Sequence, residues 1–207
     1  MKESEALIKV KEFKSQGKGL MTSQQYEAIA KLLVSMSPCN FLVFGLGDDS
    51  YLWQDINSEG KNVFLENDEQ WMQKFSKSSL DIRKVEYTTK IKDVNIIQFD
   101  ENLLKLDLEE DIRSTDWDLI LVDAPLGHGP PNPNSPWKNT PGRPFKGPGR
   151  MSSIYEASKL IGESGYIIVD DLSRHVEAVY AGHFIGQDKM INLIENKVGN
   201  FKLQWST

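Results

Sequence analysis

The chain has 207 residues, 39% hydrophobic and 26% charged, with 24 Lys+Arg against 30 Asp+Glu and a net charge of −6. That is one ordinary domain with enough chain to bury a sizeable core, and the acidic balance sets aside a general nucleic-acid binder, which would be basic. A single cysteine, Cys39, excludes an intrachain disulfide and a multi-cysteine zinc site. No uncharged apolar run approaches the roughly 18 residues of a membrane span, and the mixed-charge N-terminus carries no secretory apolar segment. The expected location is therefore cytoplasmic.

Residues 1–20 are a Lys/Glu-rich lead-in, either a helix packed on the edge of the fold or a mobile segment, and residues 21–207 form a single domain. Thr22 with Gln25 fits a capping box, and Tyr26, Ile29, Ala30 and Leu33 recur at helical spacing up to Pro38. Asn40 to Phe44 is a continuous apolar run, which suits a strand buried on both faces. Residues 62–65 are a second strand, 68–75 a helix and 84–89 a third strand. Residues 118–122 are a strand ending at Asp123, and 151–161 a helix. Residues 165–169 are a strand ending at Asp170 and Asp171, and 175–185 a helix. The tail from Lys189 to Trp205 suggests two strands with a turn near Gly199 and Asn200. The alternation predicts an α/β fold: a mostly parallel sheet with helices on both faces and an antiparallel C-terminal hairpin at its edge.

Residues 127–149 hold seven of the nine prolines and five of the fifteen glycines, so neither a regular helix nor a central strand can form there. A loop of this length inside a compact domain is usually functional or disordered. From Gly127 to Arg150 there is no acid, but there are four cations, Lys138, Arg143, Lys146 and Arg150. In a net-acidic chain a purely basic loop suggests an anionic ligand, which a guanidinium can grip through two parallel hydrogen bonds. Trp137 and Phe145 can stack on the apolar face of a sugar, and His128 is a candidate base. Arg174 is a further candidate for the anion.

Two other constellations carry chemistry. Gly45-Leu-Gly47-Asp48-Asp49 follows the first strong strand, where glycines permit a tight turn and close approach of a ligand. Glu66 ends the next strand 21 residues after Gly45, the distance at which an acid accepts hydrogen bonds from a ribose diol. This pattern favours a nucleoside cofactor at Gly45, Gly47, Asp48 and Glu66 over a plain turn. Asp123, Asp170 and Asp171 each follow an apolar strand and would emerge on the same sheet edge. Three oxygen donors there can hold Mg²⁺, Mn²⁺ or Ca²⁺, or they can act as base and helix caps.

Several segments are similar to the glucuronoxylan 4-O-methyltransferase family, also known as the polysaccharide-biosynthesis domain. They are Pro38 to Ser50, Val63 to Glu66, Trp117 to Pro125 and Pro148 to Tyr155, with a looser match from Ile168 to Arg174. The resemblance implies a Rossmann-like class I methyltransferase with a mostly parallel seven-stranded sheet. It implies S-adenosylmethionine bound near Gly45, Gly47 and Glu66, and Asp123, Arg150 and Asp171 near the methyl acceptor. The chain departs from the family at Asp48 and Asp170, where histidine is usual, and in a longer loop before Pro148. The strand-end aspartates also resemble the metal site of catechol-type O-methyltransferases.

The resulting expectation is an S-adenosylmethionine-dependent O-methyltransferase acting on a carbohydrate hydroxyl, with an acidic sugar such as glucuronic acid as acceptor and position 4 as its target. A divalent cation (Mg²⁺ or Mn²⁺) is an additional expected cofactor. Asp123, Asp171 and His128 are the candidate acid–base residues. Arg150, Arg143, Lys146, Trp137 and Arg174 are candidates for the acceptor. The alternatives are a metal-dependent enzyme for a phenol-type hydroxyl, and a non-catalytic polysaccharide-binding protein of the same fold. A nicotinamide dehydrogenase is more distant, because the third glycine of its fingerprint is missing.

Overall fold

The structure, a computed structural model, describes residues 1–126, 147–194 and 198–202, and for residues 96, 192, 193 and 198–202 only the backbone. The elements run in the order α1 (Glu3–Ser15), α2 (Ser23–Met36), β1 (Asn40–Phe44), α3 (Ser50–Ile56), β2 (Lys61–Glu66), α4 (Glu69–Lys74) and β3 (Asp81–Lys84). Three short helices follow, α5 (Val94–Ile97), α6 (Glu101–Leu104) and α7 (Glu110–Ser114). Then come β4 (Trp117–Val122), α8 (Met151–Leu160), β5 (Ile161–Val169), α9 (His175–Ala181), β6 (Met190–Ile194) and β7 (Val198–Lys202).

The seven strands form one sheet in the order β3-β2-β1-β4-β5-β7-β6. The first five in that order are parallel, and β7 is antiparallel to both β5 and β6. The expected Rossmann-like architecture is thus present: five parallel strands extended by an antiparallel hairpin. Successive side chains of a strand point to opposite faces, and here both faces are covered. Leu42 and Phe44 of β1 join Val63, Ile120 and Ile167 in a core under α8 and α9. Phe41 and Val43 join Phe64, Leu119 and Ile168 in a second core under α1, α2 and α3. Continuous apolar strands are the sequence signature of this two-sided burial.

Of the two readings of the lead-in, the structure has the helix. Ala6, Val10 and Phe13 of α1 are buried against α2. The Lys14 ammonium donates to the carbonyls of Lys18, Gly19 and Met21 at 3.1, 3.0 and 2.8 Å, which ties the α1–α2 connection. The Thr22–Gln25 capping box forms as expected. Cys39 is buried, and burial pushes its thiol up to about 12, so it sits in the core as an inert protonated group.

Three expectations about elements are corrected. The third strand is 81–84, not 84–89. Among the described residues its partner is β2, whose ladder ends at Glu66 with a last bond from the Val85 N–H to the Glu66 carbonyl at 3.0 Å. Residues 89–91 bond instead to the far end of the proline-rich segment: the Thr89 hydroxyl donates to the Pro148 carbonyl and the Ile91 N–H to the Gly147 carbonyl. Gly199 and Asn200 lie within β7, paired with Val169 and Ile168, rather than in a turn. The helix beginning at His175 is α-helical only to Ala181, then widens to a π-helical segment over Gly182–Gly186.

Candidate active site

Parallel register builds the site. Phe44 pairs with Leu65 and with Val122, and Val122 pairs with Val169. One residue further on, the ladder is continued by Gly45 N–H to Leu65, Asp123 N–H to Phe44 and Asp170 N–H to Val122, at 2.8, 3.0 and 3.0 Å. Gly45, Glu66, Asp123 and Asp170 therefore form a row along the carboxyl edge of the sheet, which is where open α/β sheets bind ligands.

Gly45 has φ +129, a conformation that side-chain-bearing residues rarely adopt, and an added Cβ would meet the Ala124 Cβ at 3.1 Å. The backbone of the first turn can therefore lie close beside the Asp123 strand end. Glu66 is buried, and its carboxylate is already engaged. Oε2 accepts from the Leu46 N–H at 2.9 Å, and Oε1 from the Asn67 and Asp68 N–H groups at 2.7 and 2.6 Å. Burial pushes this carboxyl up and the three backbone donors pull it back down, leaving it above the usual range. Sequence spacing marked Glu66 for a ligand, but its bonding to the two turns only the structure supplies.

That bonding sets an expected outcome. Glu66→Ala leaves three N–H groups without their charged acceptor and should lower unfolding stability by about 2–4 kcal/mol, since such bonds are worth roughly 1.5–3 kcal/mol each and the turns relax in part. Denaturant unfolding checks this, and an unchanged midpoint would mean that water replaces the carboxylate at no cost.

At the other end of the row Arg150, 5% exposed, sits among the aspartates. Its Nη2 donates to Asp123 Oδ1 at 3.0 Å and to Asp171 Oδ2 at 2.9 Å, while Nη1 lies 3.6 Å from Asp170 Oδ2. Arg174 Nη2 reaches Asp171 Oδ2 at 2.7 Å, and its Nη1 lies 3.8 Å from Oε1 of the buried Glu177. Asp171 has φ +63, an unusual conformation for a non-glycine residue. Burial and the charge of Asp170 push the Asp123 carboxyl well up, against the opposing pull of Arg150. Burial likewise raises Glu177, against Arg150 and Arg174.

This arrangement corrects two expectations. The cation among Asp123, Asp170 and Asp171 is the Arg150 guanidinium, and no group of three or more His, Cys, Asp or Glu able to hold a metal occurs among the described residues. The predicted Mg²⁺ or Mn²⁺ centre is thus not formed by them. Arg150 precedes α8 as expected, but it faces inward as the counter-ion of the aspartates rather than outward toward a substrate carboxylate. Asp48 is also placed elsewhere. It pairs with Lys74 at 2.6 Å on the surface, and the carboxylate that joins the cluster from this turn is Asp49. His128, Trp137, Lys138, Arg143, Phe145 and Lys146 lie outside the described residues.

Sequence reasoning missed Asp49, Tyr26 and Glu177. Tyr26, stacked on Trp53, donates its hydroxyl to Asp49 Oδ2 at 2.9 Å. Asp49 is raised above the usual carboxylate range, chiefly by burial and also by Asp170, and in turn helps raise Asp123. Its signal was visible, since it stands in the same glycine turn as Asp48, immediately before α3. Glu177 had none, because an acid in a helix reads as solvated until the tertiary structure buries it. Asp123, Asp170, Asp171 and Glu177 thus face the two guanidiniums of Arg150 and Arg174, Asp49 interacts with Asp123 and Asp170, and this edge holds more acidic than basic groups. It suits the positively charged part of a ligand.

The family model described as IRX15/IRX15L/GXM matches residues 24–102 and 97–201. The chain belongs to that family. As an IRX15/IRX15L/GXM protein it is 33% identical to glucuronoxylan 4-O-methyltransferase 2 of Arabidopsis thaliana, over 79% of this chain and 59% of the relative. It is 28% identical to arabinogalactan O-methyltransferase 2 of the same plant, over 83% and 64%. The chain therefore spans about three fifths of the length of the curated relatives it matches. Among solved structures, a Staphylococcus aureus protein of the caffeoyl-CoA O-methyltransferase type superposes with a TM-score of 0.54 and 12% identity, covering 97% of this chain and 92% of that one. At that identity the likeness concerns the fold alone.

Proposed function

We propose that this family member transfers a methyl group from S-adenosylmethionine to a hydroxyl of a polysaccharide sugar, within the single domain formed by residues 21–207. The observation that carries the reading is the acid-rich row at the sheet's carboxyl edge, beside the Gly45 turn. The residues present fit the cofactor. Gly45 lets the backbone approach closely, Glu66 retains acceptor capacity beyond its three backbone bonds, and Asp49 and Asp123 offer negative charge to a sulfonium or ammonium group. When bound, S-adenosylmethionine supplies an electrophilic methyl group.

The chain's own residues then have to hold and deprotonate a poor nucleophile. Asp123, about one third exposed and raised above the ordinary carboxylate range, is the base that accepts the proton from the sugar hydroxyl. Arg150 fixes the position of Asp123 and Asp171 through its two Nη2 bonds, and Arg174 holds Asp171 from the other side. Positioning the hydroxyl beside the donor can supply about 7–11 kcal/mol of the acceleration.

The acceptor is proposed to be an acidic sugar, glucuronic acid methylated at O4. The support is the acid-free basic stretch from Gly127 to Arg150 together with the names of the relatives. With Arg150 turned inward, Lys138, Arg143 and Lys146 are the cations left to read the carboxylate. Labelled methyl transfer to a glucuronic-acid-bearing oligosaccharide and to its glucose counterpart tests this. The expected result is a kcat/KM at least about tenfold higher for the acid, one charge-assisted contact being worth about 1.5–3 kcal/mol. Equal values would remove the acidic specificity, and failure to bind S-adenosylmethionine at all would leave a non-catalytic binding protein. No helix among the described residues is long and apolar enough to cross a membrane.

A further inference from the structure

A cavity of about 300 Å³ lies between residues 91–98 and α9 and has no role in the site just described. We infer that it is a subsite for the sugar unit next to the one that is methylated, an inference that rests on the proposed polysaccharide acceptor.

Its location is the first argument. One wall is tied to the site through Ile91, whose N–H donates to the Gly147 carbonyl at 3.1 Å and whose side chain lies against Gly149, the residue before Arg150. The opposite wall is α9, which starts immediately after Arg174 and carries Glu177 between two cavity residues, Val176 and Val179. One wall of the cavity therefore touches the backbone next to Arg150, and the other carries Glu177 of the cluster.

Its chemistry is the second argument. The floor is apolar and buried: Ile91, Val176 and Tyr180 are 0%, 3% and 1% exposed. The rim carries exposed polar side chains, Lys92, Asn95, Gln98 and His175. A pyranose has the matching distribution, with C–H faces for the floor and a girdle of hydroxyls for the rim. At about 30 Å³ per water, the volume is that of about ten waters, room for a ring-sized ligand at the small end of ordinary binding sites. No carboxylate lines it, and Lys92 contributes a positive charge. The cavity therefore selects a neutral or anionic occupant, while the acid-rich edge favours a cationic one. Charge sorts the two substrates into neighbouring places on one side of the domain.

The test uses glucuronic-acid-bearing acceptors of one sugar unit and of three, with two variants. Val179→Trp fills the cavity from α9, and Asn95→Ala combined with Gln98→Ala strips the exposed rim with little risk to folding. Transfer rates give kcat/KM for both acceptors, and calorimetry gives their Kd values and that of S-adenosylmethionine. In the wild type the three-unit acceptor should exceed the single unit by tenfold or more in kcat/KM. Each variant should cut that ratio by about tenfold while the Kd of S-adenosylmethionine stays within twofold. A wild type indifferent to acceptor length, or a ratio that survives both variants, overturns the subsite. So does a parallel loss of S-adenosylmethionine affinity, which would make the cavity part of the cofactor site. If no sugar is methylated yet the three-unit ligand binds and both variants weaken it, the subsite stands and the methyl-transfer reading falls.

Discussion

Arg150→Met should destabilise the protein by about 3–5 kcal/mol, the cost of removing one partner from a buried ionic cluster. For a chain of this length that corresponds to a fall in Tm of roughly 6–20 °C at neutral pH. The cause is specific: Asp123, Asp170 and Asp171 lose the guanidinium that lies 2.9–3.6 Å from each of them. The loss should also depend on pH in a defined sense. Without Arg150 the Asp123 carboxyl, already raised, loses the charge that opposes its burial and is pushed further above its unfolded value, so the folded state binds protons more readily than the unfolded one. The variant should therefore recover stability relative to wild type as pH falls and Asp123 protonates. Arg150→Lys retains a charge but not the fork that spans the cluster, and should fall between the two. Thermal unfolding at pH 7 and pH 5 measures all of this. An unaltered Tm at pH 7 would mean that solvent, not Arg150, balances the aspartates.

Asp123→Asn should lower kcat by about 10²–10⁴-fold, the usual contribution of a positioned base, with a Tm close to wild type. The amide keeps the shape and removes one of several crowded negative charges, so the effect falls on turnover rather than on the fold. The wild-type pH profile carries an independent signature. Asp123 accepts a proton only when ionised, and burial and Asp170 raise its carboxyl. Activity should thus be lost on acidification at a pH above the ordinary carboxylate range. That acidic limb should be absent from the residual activity of Asp123→Asn. A variant retaining more than a tenth of wild-type kcat would move the base elsewhere, with Asp171 next in line because it shares the same guanidinium.

The sequence by itself determined the architecture and the place of the site. Apolar runs at 40–44, 62–65, 118–122 and 165–169 can only be strands covered on both faces, and helical spacing after Thr22 and Met151 supplies the covers. Strand ends followed by Gly45, Glu66, Asp123 and Asp170 become one row because parallel strands in register finish together. What each side chain does in that row was decided by the tertiary structure. Arg150 reads locally as the last cation of a basic loop, yet it is buried against three aspartates brought from the ends of β4 and β5. Asp49 acquires its partner from Tyr26 on α2, and Glu66 spends its carboxylate on the backbone of two turns. Glu177 becomes part of the cluster only because α9 packs beside α8. The physical reason is a difference in range. Apolar periodicity is a local property that any window of the chain displays, whereas the state of a charge is set by its distance to other charges and to water, and folding fixes both only when segments far apart in sequence meet.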